Sequence, residues 1–116
     1  MKRVWLAVAI AAAAVVVVGC TPSEKHYQGL RQRLIDDPDL KRRVIDYCID
    51  DLNRKRRQDR ETVAAIMKVP LTRVGADFCR RAINGIVSGR IPYEEFEAAL
   101  KGEGDVSRLV AVLQGR

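Results

Sequence analysis

Few residues in this chain are of the types that carry covalent or acid–base chemistry. There is one histidine, His26, three cysteines at positions 20, 48 and 79, and three serines, Ser23, Ser88 and Ser107. A zinc centre would have to draw on His26, Cys48 and Cys79, which lack the short paired spacing of zinc sites. A Cys–His nucleophile would need His26 beside a free thiolate. None of the serines stands in a nucleophile-elbow context. Asp50-Asp51 and Glu94-Glu95 are adjacent pairs, and neighbouring helical residues point to different faces, so neither pair brings two carboxylates together. No catalytic constellation emerges, and neither enzyme activity nor a metal is expected.

Two local patterns come closer to a site. Gly89-Arg90-Ile91-Pro92-Tyr93-Glu94-Glu95-Phe96 resembles the exit half of an EF-hand, with Gly at position 6, Ile at 8 and Glu at 12. Counting back puts Asn84 at position 1, Ile86 at 3 and Ser88 at 5. Ile86 offers no side-chain oxygen and Pro92 offers no ligand at position 9, so calcium is not expected. The bland reading is a glycine turn, Ile91 as a core plug, and a helix start at Pro92. The second pattern is the basic run Arg54-Lys55-Arg56-Arg57-Gln58-Asp59-Arg60. Arg54, Lys55, Arg56, Arg57 and Arg60 could meet an anionic surface, since arginine suits bidentate phosphate contact. Equally, they could complement the negative end of a helix, close to six acidic residues between Asp36 and Asp51. Aromatic interleaving is missing, and nucleic acid is not expected as a partner.

The address is written more clearly than the chemistry. Met1-Lys2-Arg3 is a basic start, and Val4 to Val18 is apolar without interruption. That is the order of a secretory signal. As a helix the run would reach about 22 Å, short of the roughly 30 Å a bilayer core requires. Val17-Val18-Gly19-Cys20 resembles the lipobox of bacterial lipoprotein precursors, with Val17 where the pattern prefers Leu. The resemblance implies a signal peptide over 1–19, cleavage after Gly19, and diacylglycerol and an N-acyl chain on Cys20. No other cofactor is expected. It further implies a lipid bilayer as partner through acylated Cys20 and a place in the bacterial cell envelope. By the sorting rule for such lipoproteins, Thr21, which is not Asp, favours the periplasmic face of the outer membrane over the inner membrane. A secretory signal with a coincidental cysteine, or an uncleaved anchor, are the competing readings.

The signal must be removed before composition is read. The whole chain has 21 Lys+Arg against 15 Asp+Glu. Residues 1–19 carry Lys2 and Arg3, so the excess of cations falls from six to four. The core of so small a domain is thin, and crosslinks help it. Cys48 and Cys79 remain as an even pair in a chain bound for an oxidising compartment, and a disulfide is their simplest use.

These features must be positioned by helices. After a tether over 20–24, residues 25–116 form one domain. Tyr27, Leu30 and Leu34 mark a first helix starting near Glu24, which Asp36-Asp37-Pro38-Asp39 ends. Asp37 is placed to cap the next, with Pro38 at its first position. There Leu40, Val44, Cys48 and Leu52 form a stripe, and the helix runs to about Arg56. Asp59-Arg60-Glu61-Thr62 opens a short helix with Val63, Ile66 and Met67, closed by Val69-Pro70. Thr72 caps a helix from Arg73 to about Ser88, aligned on Val74, Phe78, Ala82 and Ile86. Pro92 opens another with Phe96 and Leu100 on its apolar side, and Asp105 caps a last one bearing Val106, Leu109, Val110 and Leu113. Strand alternation is missing. The expected fold is all-α, a bundle of four to six short helices stapled by one disulfide. Its expected role is structural or interactive, an accessory subunit docking to an envelope protein, with anionic lipid or lipopolysaccharide binding through Arg54 to Arg60 as the alternative.

Overall fold

The structure is a computed structural model, and it describes residues 22–116. The signal segment 1–19 and the lipidation position Cys20 lie outside the described residues. The described chain is all-α: α1 (Glu24–Asp36), α2 (Pro38–Asn53), α3 (Arg57–Met67), a 3-10 turn (Leu71–Arg73), α4 (Val74–Ser88), α5 (Tyr93–Lys101) and α6 (Ser107–Leu113).

Local chemistry accounts for most of the boundaries. Ser23 caps α1, its Oγ accepting from the His26 amide at 3.2 Å. A single residue joins α1 to α2: Asp37 accepts from the amides of Asp39 and Leu40, both at 3.1 Å, and Pro38 follows at the first helical position. The last turn of α3 closes on Lys68 in the left-handed region, with the Val69 amide bonded to the Ala64 carbonyl at 3.0 Å. Gly89, at φ +82°, turns the chain out of α4, and the amides of Arg90 and Ile91 both return to the Gly85 carbonyl. Asp105 accepts from the Ser107 amide at 2.9 Å where α6 begins, and that bond lowers its carboxyl below the ordinary range.

Several boundaries and faces differ from the sequence reading. α2 ends at Asn53 and not near Arg56, because the chain must turn there to lay Ala64 and Met67 over the start of α4. Thr72 does not cap α4; it stands inside the 3-10 turn, and α4 starts without a side-chain cap. On α1 the inward face is Tyr27, Arg31 and Leu34, so Leu30 is 37% exposed. Ile66 and Leu100 likewise point outward, and Ala64 takes the inward place expected of Ile66.

α4 is the hub. Two buried clusters lie along one side of it. Tyr27, Ile86, Ile91 and Val112 form the first, with Ile83, Tyr93 and Phe96 packed against it. Ala64, Met67, Val74 and Leu113 form the second, and Leu109 bridges the two. From α6, Leu109, Val112 and Leu113 pack on its own domain. Gly85 lets these layers close: a Cβ there would meet Ile91 Cδ1 at 2.7 Å and Val112 Cγ1 at 2.8 Å. On another side α2 runs antiparallel to α4, with Cys48 joined to Cys79 and the Asn53 side chain against Gly75.

Candidate functional site

The cysteine pair expected from the sequence is a disulfide. Cys48 and Cys79 are bonded, with their Cα atoms 5.8 Å apart, across a separation of 31 residues. Cys79 is fully buried, while Cys48 is half-buried. Bonded cysteines neither ligate zinc nor act as nucleophiles. Among the described residues no three His, Cys, Asp or Glu side chains gather where they could hold a metal ion. His26 is exposed, its Nδ1 within 2.9 Å of Ser23 Oγ. Ser88 Oγ donates to the Gly85 carbonyl at 3.3 Å.

The EF-hand-like segment is put to structural use. Ile91 is 1% exposed and plugs the core. Glu95, at the position where an EF-hand would hold its bidentate ligand, is buried, and its Oε1 accepts from the Leu109 amide at 2.8 Å. It therefore caps the N-terminus of α6 from a neighbouring helix, a charge-assisted bond to the positive end of the dipole.

The basic run forms the corner between α2 and α3, and all but Arg60 are exposed. Its cations are engaged locally. Arg54 and Lys55 reach Asp51 at 3.9 and 3.6 Å, Arg56 reaches Asp59 at 3.2 Å, and Arg57 reaches Glu61 at 3.0 Å. Arg60 Nε donates to the Lys55 carbonyl at 3.2 Å. Only Arg54 and Lys55 follow the end of α2, where cations are favoured. Arg56 and Arg57 stand at the start of α3, where the dipole disfavours them. Asp59 and Glu61 offset that placement.

Other side-chain donors, not singled out by the sequence, hold helix ends together. Arg31 donates from Nε to the Ile86 carbonyl at 2.7 Å and from Nη2 to Val87 at 3.0 Å, capping the C-terminus of α4. Arg81 Nη1 donates to Leu113 at 2.7 Å, at the end of α6. Gln114 Nε2 donates to the Ile66 carbonyl at 2.7 Å, at the end of α3. Nothing in local spacing marks these residues, because their partners lie 32 to 56 positions away.

Two tyrosines secure the point where the N-terminal segment joins the fold. Tyr27 donates to the Ile91 carbonyl at 2.5 Å and packs on Phe96, ring centroids 4.7 Å apart. Burial pushes its phenol above the ordinary range, with Arg31 pulling weakly the other way. Tyr93 donates to the Pro22 carbonyl at 2.7 Å. Loss of solvent around it and the Glu97 carboxylate raise its phenol as well. Against this chain no known family model, no curated protein and no solved structure gives a match.

Proposed function

We propose that this is a lipid-anchored accessory protein of the bacterial envelope, carried by acyl chains on Cys20 and docking to a protein partner through α2. One observation carries the docking role. α2 is 16 residues long and contains no buried residue, although it bears an apolar stripe of Leu40, Val44, Ile45, Ile49 and Leu52. Tyr47 on the same helix is 69% exposed. The stripe faces α4 through Cys48, and Tyr47, on the outer side, is the apolar surface that α2 leaves for another protein. No catalytic cluster competes with that reading among the described residues.

The anchor fits this geometry. Cys20 lies two residues from Pro22, at most about 7 Å of extended chain, and Tyr93 holds the Pro22 carbonyl. The acyl chains would keep the start of α1 and α5 close to the bilayer. Two acyl chains or more hold firmly, at about 0.8 kcal/mol per buried CH₂. Outer-membrane placement rests on Thr21, and fractionation decides it.

Stoichiometric recovery of one partner with the full chain in mild detergent, lost in Tyr47→Asp, is the expected result. The same recovered proteins from Tyr47→Asp and from the unaltered chain would count against α2. Cys20→Ser is expected to abolish acylation and release or strand the precursor. A processed, membrane-bound Cys20→Ser form would contradict the anchor.

A second reading, anionic lipid or lipopolysaccharide binding through Arg54 to Arg60, is favoured by the presence of Arg56 and Arg57 at a helix start where folding alone does not want them. Against it stand the local partners of every cation in the run. The run also lies beyond the start of α4, whereas Pro22 is held near its end, and α4 is about 22 Å long. Replacing Arg54, Arg56, Arg57 and Arg60 with Gln abolishes binding to anionic vesicles if this second reading holds.

A further inference from the structure

We propose that the groove between α2 and α4 is a docking site for an acidic peptide segment of a protein partner, one that also carries an apolar side chain. Lys41 and Arg42 from α2 and Arg80 from α4 converge on this groove around Ile45, with Asp46 and Asn84 completing its walls. Cations thus exceed acids by two in the lining. Arg42 is paired with Asp39. Lys41 and Arg80 have no ion-pair or hydrogen-bond partner for their side chains among the described residues. The Arg54–Arg60 run is the denser charge feature, but its cations already face carboxylates or a carbonyl within a turn or two. A carboxylate arriving at the groove meets two cations without ion-pair partners beside the single carboxylate of Asp46, whereas one arriving at the run must displace a resident partner.

The second argument is rigidity. Cys79 immediately precedes Arg80, and Cys48 lies one helical turn beyond Ile45, so the disulfide fixes the two walls beside the site. A preformed spacing reduces the ordering cost of binding. The third is the floor: half-buried Ile45 offers one apolar side chain of such a peptide a seat beside the cations.

This inference rests on the docking role proposed above and adds a second contact surface on α2, on the side away from Tyr47. The test uses the full chain in detergent and a fluorescent twelve-residue peptide of Glu and Leu, with a Lys-and-Leu peptide and phosphatidylglycerol vesicles alongside. The acidic peptide is expected to bind and the basic one not. Combined Lys41→Gln and Arg80→Gln substitution should weaken binding about tenfold, and Arg80→Glu alone should weaken it too. The Gln variant of Arg54, Arg56, Arg57 and Arg60 should bind as before. Both groove positions reach the surface, so helical circular dichroism should be unchanged. No peptide binding, equal binding by the Lys41/Arg80 variant, or binding to the vesicles alone overturns the groove. A partner still recovered in detergent with that variant overturns the groove while leaving the docking role intact.

Discussion

Along α4, the side that meets α1, α3, α5 and α6 and the side that meets α2 are held by different means. The first buries Val74 and Ile86 against Tyr27, Met67, Ile91, Val112 and Leu113. Its polar ends are closed by side chains from other helices: Arg31 on α4, Arg81 and Glu95 on α6, Gln114 on α3. The second buries only Gly75 and Cys79 on α4 and nothing on α2. There a disulfide adds to the packing of a half-buried stripe, Leu40, Val44, Ile45, Ile49 and Leu52. For a small domain with a thin core, a covalent staple lets one helix remain attached while keeping its apolar stripe half exposed. Attachment and availability are compatible on that side because they depend on different groups.

The comparison can be broken most directly at the staple. Joint replacement of Cys48 and Cys79 by Ala should cost about 3–4 kcal/mol on the chain-entropy account, read from denaturant unfolding. A loss under about 1 kcal/mol would mean that α2 is held by packing after all. Next comes a pair of truncations. Ile91→Ala, in the packed side, should cost about 3 kcal/mol, while Val44→Ala, on half-exposed α2, should cost about 1 kcal/mol. Equal losses would erase the contrast. Arg31→Gln removes a charged donor from two carbonyls at the end of α4 and should cost about 2 kcal/mol, with faster amide exchange in the last turn of α4. The smallest effect is confined to alkaline pH. The unfolded chain ionises Tyr27 near pH 10, and burial holds the folded phenol higher. Its contribution is therefore whole below about pH 10 and is lost as pH rises through the folded value. The stability advantage over Tyr27→Phe should shrink from about pH 9 to 11; a constant difference would place the phenol in solvent.

Much of this architecture was legible in the sequence where a cause is local. Asp37-Pro38 set the α1–α2 junction, Gly89 the turn after α4, and the even cysteine pair the staple. Ile91 as a core plug was readable because the EF-hand-like pattern failed on its own chemistry. What could not be read had distant causes. The cations Arg31 and Arg81 look like any surface arginine, and Glu95 like any acid in a first helical turn; only the fold brings carbonyls and amides to them. Sequence alone carries α2 past Asn53 because Arg54 to Arg57 contain no helix breaker, whereas the turn is imposed by α3 packing on α4. Periodicity points Leu30, Ile66 and Leu100 inward, yet a short helix packed at one end covers only part of its stripe. The candidate site was the least legible part. Charge density drew attention to the run at Arg54, while the cations without local partners, Lys41 and Arg80, stand alone in sequence and meet only when α2 lies along α4.

Amide hydrogen exchange followed helix by helix, in the oxidised and the reduced protein, tests the difference between the two sides of α4 most directly. Reduction is predicted to collapse protection across Pro38–Asn53 while the amides of α4 and α6 remain protected. Protection falling equally in all helices, or unchanged in α2, would contradict a helix held by its disulfide.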